Sequence, residues 1–553
     1  MRWTKVWLVL ACVLVTAPAF NSLCYGKAKE WKDLYDEMVL AFLWHQSADE
    51  SKALSWQTFN MARDILDEQL RLKPDNGKKP ILVTDIDDTL TDSSSYFAGF
   101  LGTNDGLNEK RDYIWWDEQP SAPKAGALAF LRYAVNKGVE PFYLTGRTAD
   151  PKVEQYTHSF LQRLGVPGAD PNHIKISNGI KKDQFIRDIV GESNQLLLTV
   201  GDKFSDLGVE SSNKTDHQLQ WLQEHPSQPG ITTLLQANPV GGTWDCLSHN
   251  VCPHSPDQEY ELRQQQRKQM AGDYVPSQDV LTPSPLFSGN QMGQILKWQT
   301  ESSEHAFISR QVFNRAGLYW KNRKAEKGEA IVIDIDGTLI DLAPFTAMVL
   351  LWNTGKKGIN LFHHWAKSSP SQRAMPGARE YLELVKSAGG EIFYVTARST
   401  IDEHGKDMRK PLLDSLERAG VPLPADKNHL LMKGDFCIRE NCSKAARFEN
   451  IRMGIVSGAP VNIVQLLGDT LQDIELVGED LETAANAEST GVLADLGRSR
   501  FLLPNPIYIR GWLFRLYQKW YGDNWHEEID SETLQAGVLK KIQRWNPGVS
   551  ILE

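Results

Sequence analysis

The chain has 553 residues, enough for two or three domains rather than a single core. Hydrophobic residues make up 41% and charged residues 24%, the balance of an ordinary folded protein, with no low-complexity tract. A formal net charge of -10 argues against broad nucleic-acid binding, and beyond the N-terminus no apolar run is long enough to span a bilayer.

Residues 1–26 read as an export signal. Arg2 and Lys5 precede an uncharged apolar run from Val6 to Phe20, and cleavage after Ala19 or after Gly26 satisfies the small-residue rule. The expected location is the periplasm or the exterior. An uncleaved anchor is the competing reading. Lipid attachment at Cys24 is weaker, because Asn21-Ser22-Leu23 is a poor lipoprotein box. Cys246 with Cys252, and Cys437 with Cys442, are close pairs that can form short disulfides in an oxidising compartment. No clustered histidines accompany them, which argues against zinc.

The remainder is a tandem duplication. Trp44 to Asn60 (WHQSADESKALSWQTFN) answers to Trp298 to Asn314 (WQTESSEHAFISRQVFN), and both carry helical spacing. Each helix leads into a buried strand: ILVTDIDDTLTD from Ile81, and IVIDIDGTLID from Ile331. Alternation along a strand points Asp85 and Asp87 the same way, and likewise Asp334 and Asp336. Such crowded carboxylates repel unless a cation sits between them.

The first unit continues through a polar, aromatic insertion from Ser93 to Gln119, a helix from Gly126 to Asn136, and a strand from Glu140 to Leu144 ending in Thr145-Gly146-Arg147. A strand from Gln195 to Val200 then ends in Gly201-Asp202, with Asp206 beyond. The second unit repeats this with the helix Ala378 to Ser387, the strand Glu391 to Val395 before Thr396-Ala397-Arg398, and Ile463 to Leu467 before Gly468-Asp469 and Asp473. Asn238-Pro239 with Gly242 and Trp244 answers to Asn505-Pro506 with Gly511 and Trp512. The expected domains are 27–245 and 293–553. Between them, 246–292 reads as a linker with a short helix (Glu259 to Met270). A further helix, Leu513 to Trp520, precedes the tail. Alternating strands and helices predict two parallel-sheet α/β domains, with every marked residue at the carboxyl ends of the strands.

These strand ends define a chemistry. Asp85 can attack phosphorus and carry a phosphoryl group. Asp85, the backbone carbonyl of Asp87, and Asp202 offer hard oxygen ligands suited to Mg2+. Asp87 can serve as general acid and base. Thr145 can hold a phosphate oxygen, and Lys182 (or Lys181) can offset transition-state charge. Asp334, Asp336, Thr396, Lys444 and Asp469 take the same parts in the second unit. An arginine follows each lysine at differing spacing, Arg187 or Arg447. Asp206 and Asp473 can ligate through water, hold the lysine or cap the next helix.

The DxDxT stretches resemble motif I of the haloacid dehalogenase superfamily. The whole series resembles the bacterial class C acid phosphatases of the lipoprotein-e type. Unit one carries the likeness in Gln46-Ser47-Ala48-Asp49, Asp85 to Thr89, Asp92 to Tyr96, Trp116, Thr145, Lys182, Gly201-Asp202 and Asn238-Pro239. Unit two carries it in Asp341 to Phe345, Trp365, Pro376-Gly377-Ala378, Lys444-Ala445-Ala446-Arg447, Gly468-Asp469 and Asn505-Pro506. It departs at Lys124-Ala125-Gly126 and at Gly337. The resemblance implies two tandem haloacid-dehalogenase-like domains, each with a small helical cap. It also implies an exported, Mg2+-dependent phosphomonoesterase working through a phosphoaspartate, with nucleoside 5′-monophosphates among its substrates. Tyr96 and Trp116, and Phe345 and Trp365, are the candidates for stacking on substrate; packing inside the cap is the alternative. The rival functions are a phosphate- or nucleotide-binding protein with one or both sites silent, and a phosphotransferase.

Overall fold

The computed structural model describes residues 30–546 apart from 73–76, 106–108, 178–180, 209–213, 243, 246–254, 272–290, 353–361, 364, 368, 370, 403, 438–442, 478–480 and 482–490. The expected export signal lies outside the described residues, as do Cys246, Cys252 and Cys442.

Runs of β-branched and aromatic residues form two five-stranded parallel sheets. In unit one the strands are β1 (Lys79–Asp85), β2 (Glu140–Thr145), β3 (Ile174–Ile176), β4 (Asn194–Gly201) and β5 (Thr233–Leu235). They stand in the order β3-β2-β1-β4-β5. In unit two β6 (Glu329–Ile333), β7 (Glu391–Ser399), β8 (Leu430–Lys433), β9 (Asn462–Gly468) and β10 (Arg500–Leu502) stand in the equivalent order β8-β7-β6-β9-β10. All pairings are parallel, and the DxDxT strand is central in each sheet.

The repeated helix is two helices rather than the one its spacing suggests. Val39–Ser47 gives way to Asp49–Leu72 at Ala48, and Gly293–Glu301 to Ser303–Leu318 at Ser302; both break residues have extended backbone. Ser302 caps the second helix by accepting the His305 N–H at 3.0 Å.

The two units grip each other through this element. The Gln57 side-chain amide pairs with both backbone groups of Leu502 on β10, accepting at 2.7 Å and donating at 2.9 Å. Gln311 does the same to Leu235 on β5, at 2.8 and 3.1 Å. Asn60 donates to the Leu493 and Leu496 carbonyls, and Asn314 to those of Pro226 and Pro229. Each glutamine amide thus serves as a one-residue strand on the other unit's sheet edge, and one hydrophobic core runs from Leu34 to Trp545 across both units.

The described part of 246–292 contains the expected short helix, and its packing ties it to both units. Pro256–Ala271 is a helix packed on the Ala343–Trp352 helix of unit two. Its Arg263 is buried and bonds Glu37 (2.8 Å), Glu259 (2.9 Å) and Asp245 (3.3 Å), while Arg267 bonds Glu37 at 2.7 Å. The helix therefore belongs to the inter-unit core. Replacing Arg263 by Met should cost about 3–5 kcal/mol, because three buried carboxylates lose a shared cation. A denaturation midpoint close to that of the parent protein would contradict this.

Candidate active site

β1 and β4 are neighbours where the strand order reverses, and the crevice beyond their carboxyl ends holds the marked residues. Carboxylate oxygens of Asp85, Asp202 and Asp206 lie within 4.8 Å of one another, as do those of Asp334, Asp469 and Asp473. The glycine before each second-strand aspartate permits the crowding. A Cβ at Gly201 would fall 2.2 Å from that of Asp206, and one at Gly468 would fall 2.0 Å from that of Asp473.

Lys182 opens the helix Lys182–Val190 and places Nζ 2.6 Å from both Asp85 Oδ1 and Asp206 Oδ1. Lys444 opens Lys444–Arg452 and bridges Asp334 and Asp473 in the same way. Lys181 is exposed and takes no part. Asp206 also accepts the N–H groups of Asp202 and Lys203, so it both holds the lysine and ties the turn. Arg187 forms a surface pair with Asp183 and is remote from this work. Arg447 is buried and donates to the Thr396 and Leu431 carbonyls at 2.7 and 3.0 Å, bracing the second site.

Asp87 and Asp336 do not join the carboxylate clusters with their side chains. Arg147 grips both Asp87 oxygens, Nε at 2.9 Å and Nη2 at 2.7 Å, and Arg398 grips Asp336 at 2.8 and 2.6 Å. Only their backbone carbonyls remain for the cation role expected of them. Thr145 donates to Asp87 at 3.2 Å, and Thr396 accepts the Arg398 N–H at 3.1 Å.

Several residues at the sites had no role in the sequence reading. Thr89 lies 3.1 Å from Asp85 and 3.3 Å from Asp202, with Thr338 matching it in unit two. Asn238 donates to Asp202, and Asn505 to Asp469, each at 2.7 Å. Gln119 donates to Asp87 at 3.3 Å. The repeated Asn-Pro and Thr-x-Arg pairs were the available signals.

Two of the stacking candidates take the packing alternative. Trp365 is fully buried and packs with Phe345 and Phe362. Tyr96 is buried beneath Trp545 and donates to Asp112. Both fill the interior of a cap. Phe345 and Trp116 are half-buried. Phe362 lies over the Arg398 guanidinium at 5.0 Å, so it is the cap aromatic placed against site two.

The electrostatics follow from burial. Burial pushes the Asp85 carboxyl well up, aided by Asp206, Asp202 and Asp87 and opposed by Lys182. Burial pushes Asp202 and Asp334 up to about 7, and Asp469 well above its ordinary value. Burial also pushes Asp87 upward, but the Arg147 guanidinium and the hydrogen bonds from Arg147 and Thr145 outweigh it and hold the group below the usual range. Crowded, buried, all-oxygen sets of this kind suit a hard divalent cation. A third group, His45 with Asp88 and Asp92, already has a cation beside it. Lys124 is half-buried there and donates to the Asp88 carbonyl at 2.9 Å.

A duplicated parallel α/β fold with these strand-end clusters defines a class of phosphate-handling enzymes. The chain matches the family HAD superfamily, subfamily IIIB (Acid phosphatase), over residues 27–244 and again over 283–510, and it belongs to that family. Among solved structures it is similar to the class C acid phosphatase from Bacillus anthracis, at 28% identity and TM-score 0.38, covering 41% of this chain and 95% of that one. The tungstate-bound form of that protein matches at 28% and 0.37, covering 41% and 94%.

A carboxyl whose folded pKa lies above its unfolded value near 4 costs stability progressively as pH rises from about 4 to about 7. A cation that replaces the proton relieves that cost. Added Mg2+ should therefore raise Tm more near pH 7 than near pH 4. Asp202→Asn with Asp469→Asn should raise the metal-free Tm near pH 7 and remove the response to Mg2+. An undiminished Mg2+ response in that variant would refute the assignment.

Proposed function

We propose that the protein is an exported, Mg2+-dependent phosphomonoesterase with two working sites. Family membership supports phosphomonoesterase-type activity. The observation that carries the two-site reading is the repetition of one constellation: an aspartate bridged by a lysine, a second aspartate gripped by an arginine, and a third held by an asparagine.

In the first half-reaction an Asp85 oxygen attacks phosphorus and the ester oxygen departs, leaving an acyl phosphate on Asp85. Asp87 gives the departing oxygen its proton. It then takes one from the water that cleaves the acyl phosphate, releasing phosphate and restoring Asp85. Lys182 and Thr145 hold equatorial oxygens. Asp85 and Asp202 are the side chains that would hold Mg2+, which would supply positive charge to offset that of carboxylate and phosphate. Asp334, Asp336, Lys444, Thr396 and Asp469 act alike in unit two. The substrate is a small phosphomonoester. A nucleoside 5′-monophosphate fits the half-buried cap aromatics Trp116, Phe345 and Phe362, which offer flat apolar surface. The apolar run after Lys5 supports export.

Asp85→Asn and Asp334→Asn should each leave partial magnesium-dependent turnover of a chromogenic phosphate ester, and together none. Substantial turnover by the double variant would exclude the reading. Asp87 must be protonated to act as acid, so its depressed pKa confines activity to acidic pH. In an Asp334→Asn background, Arg147→Gln should release that depression and move the alkaline limb of the kcat/KM profile toward neutrality, with a loss of about 10²-fold or more from misplacement of Asp87. An unshifted limb would remove Asp87 from the acid role.

A further inference from the structure

The family match ends at residue 510, yet the segment beyond it reaches back across the molecule and enters unit one's cap. Gln543 and Gln46 pair through the side-chain amide of Gln46, which accepts the Gln543 N–H at 2.8 Å and donates to its carbonyl at 3.1 Å. The same amide donates to Ser94 at 3.0 Å. Trp545 follows. Its N–H donates to the Ser95 carbonyl at 2.9 Å, its indole N–H to Glu118 at 2.8 Å, and its carbonyl accepts from Arg111 at 3.3 Å. Its ring stacks on Tyr96 (centroids 5.7 Å apart) and meets Trp115 edge-on at 5.1 Å.

These contacts clamp both cap helices of unit one, Ser94–Ala98 and Glu109–Glu118. The second helix ends at Gln119, whose N–H donates to the Trp115 carbonyl at 2.7 Å and whose side chain donates to Asp87 at 3.3 Å. A packed path therefore runs from Trp545 through Trp115 to Gln119 and the gripped aspartate. Gly99 makes the seat possible. It has ordinary helical backbone, so alanine suits its conformation, but a Cβ there would fall 2.1 Å from the Trp545 carbonyl oxygen. Unit two's cap is covered differently, by the helix Pro256–Ala271 packed on Ala343–Trp352.

We propose that Trp545 is a positioning residue for site one. The tail of unit two holds unit one's cap in the arrangement that presents Gln119 to Asp87 and closes the site over substrate, while site two is independent of it. This rests on the phosphatase reading of site one.

The test uses the full chain. Trp545→Ala and Gly99→Ala are each placed in the Asp334→Asn background, where only site one turns over, and in the Asp85→Asn background, where only site two does. In the first, both variants should raise KM about ten-fold with a smaller change in kcat, and the pair combined should do no more than either alone. Trp545→Phe, which keeps the ring, should recover part of the loss. In the second background KM and kcat should stay unchanged. Hydrogen exchange over residues 94–119 should quicken in both variants, a readout that needs no turnover. If exchange and site-one kinetics match the parent, or if both sites lose activity equally, the proposal is overturned. Absence of turnover in the Asp334→Asn parent would instead count against the phosphatase reading, with exchange still reporting on the clamp.

Discussion

The structure depends on a tolerated repulsion. In each unit three carboxylates crowd within 4.8 Å at the ends of two buried strands. In water such a group would scatter. Here the sheet fixes the backbones, and a lysine sits between two of the three acids in each unit, joined in unit one by Lys203 beside Asp202. The neighbouring aspartate of each DxD pair is drawn off by its own arginine. Without that division of labour, a fourth acid would crowd each cluster. With it, one aspartate of each pair stands beside a candidate cation site and its neighbour is held apart under separate control.

Much of this was legible in the residues, for physical reasons. Asp85 and Asp202 end apolar runs too short for helices, so strand ends were their natural place, and a parallel sheet brings strand ends together. The duplication supplied an internal control that no single unit offers. Gly337 against Asp88 is one example: the backbone at that position is left-handed in both units, at φ 85° and 63°, so glycine meets the requirement directly, while Asp88 adopts it with its carboxylate accepting the Ser93 N–H.

The rest was hidden by reach. Arg147 lies just past the end of β2 and Arg398 in the last residues of β7, and only the fold shows their side chains turning back onto Asp87 and Asp336. Asn238 and Asn505 lie 36 residues from the aspartates they hold. The cap aromatics misled because an indole that packs and an indole that waits for a ligand look alike in a sequence. Tyr96 and Trp365 proved to be packed, and the partner of Tyr96, Trp545, lies more than four hundred residues away. The helix Pro256–Ala271 looked like a tether because its composition is polar, yet Arg263 and Arg267 pair with Glu37 and Asp245, drawn from two separate stretches of chain, and with Glu259 of the helix itself.

The glutamine clamps give the chain a direction in time. When Gln311 leaves the ribosome, Leu235 is already made, 76 residues earlier. Gln57 must wait for Leu502, 445 residues later. Until then the face of the long helix that meets β10 stands open to other chains, although its other face already packs on unit one's own strands and helices. The trailing half therefore acts on the leading one somewhat as a built-in chaperone would. A molecule whose synthesis stops early would carry a first half with that face still uncovered.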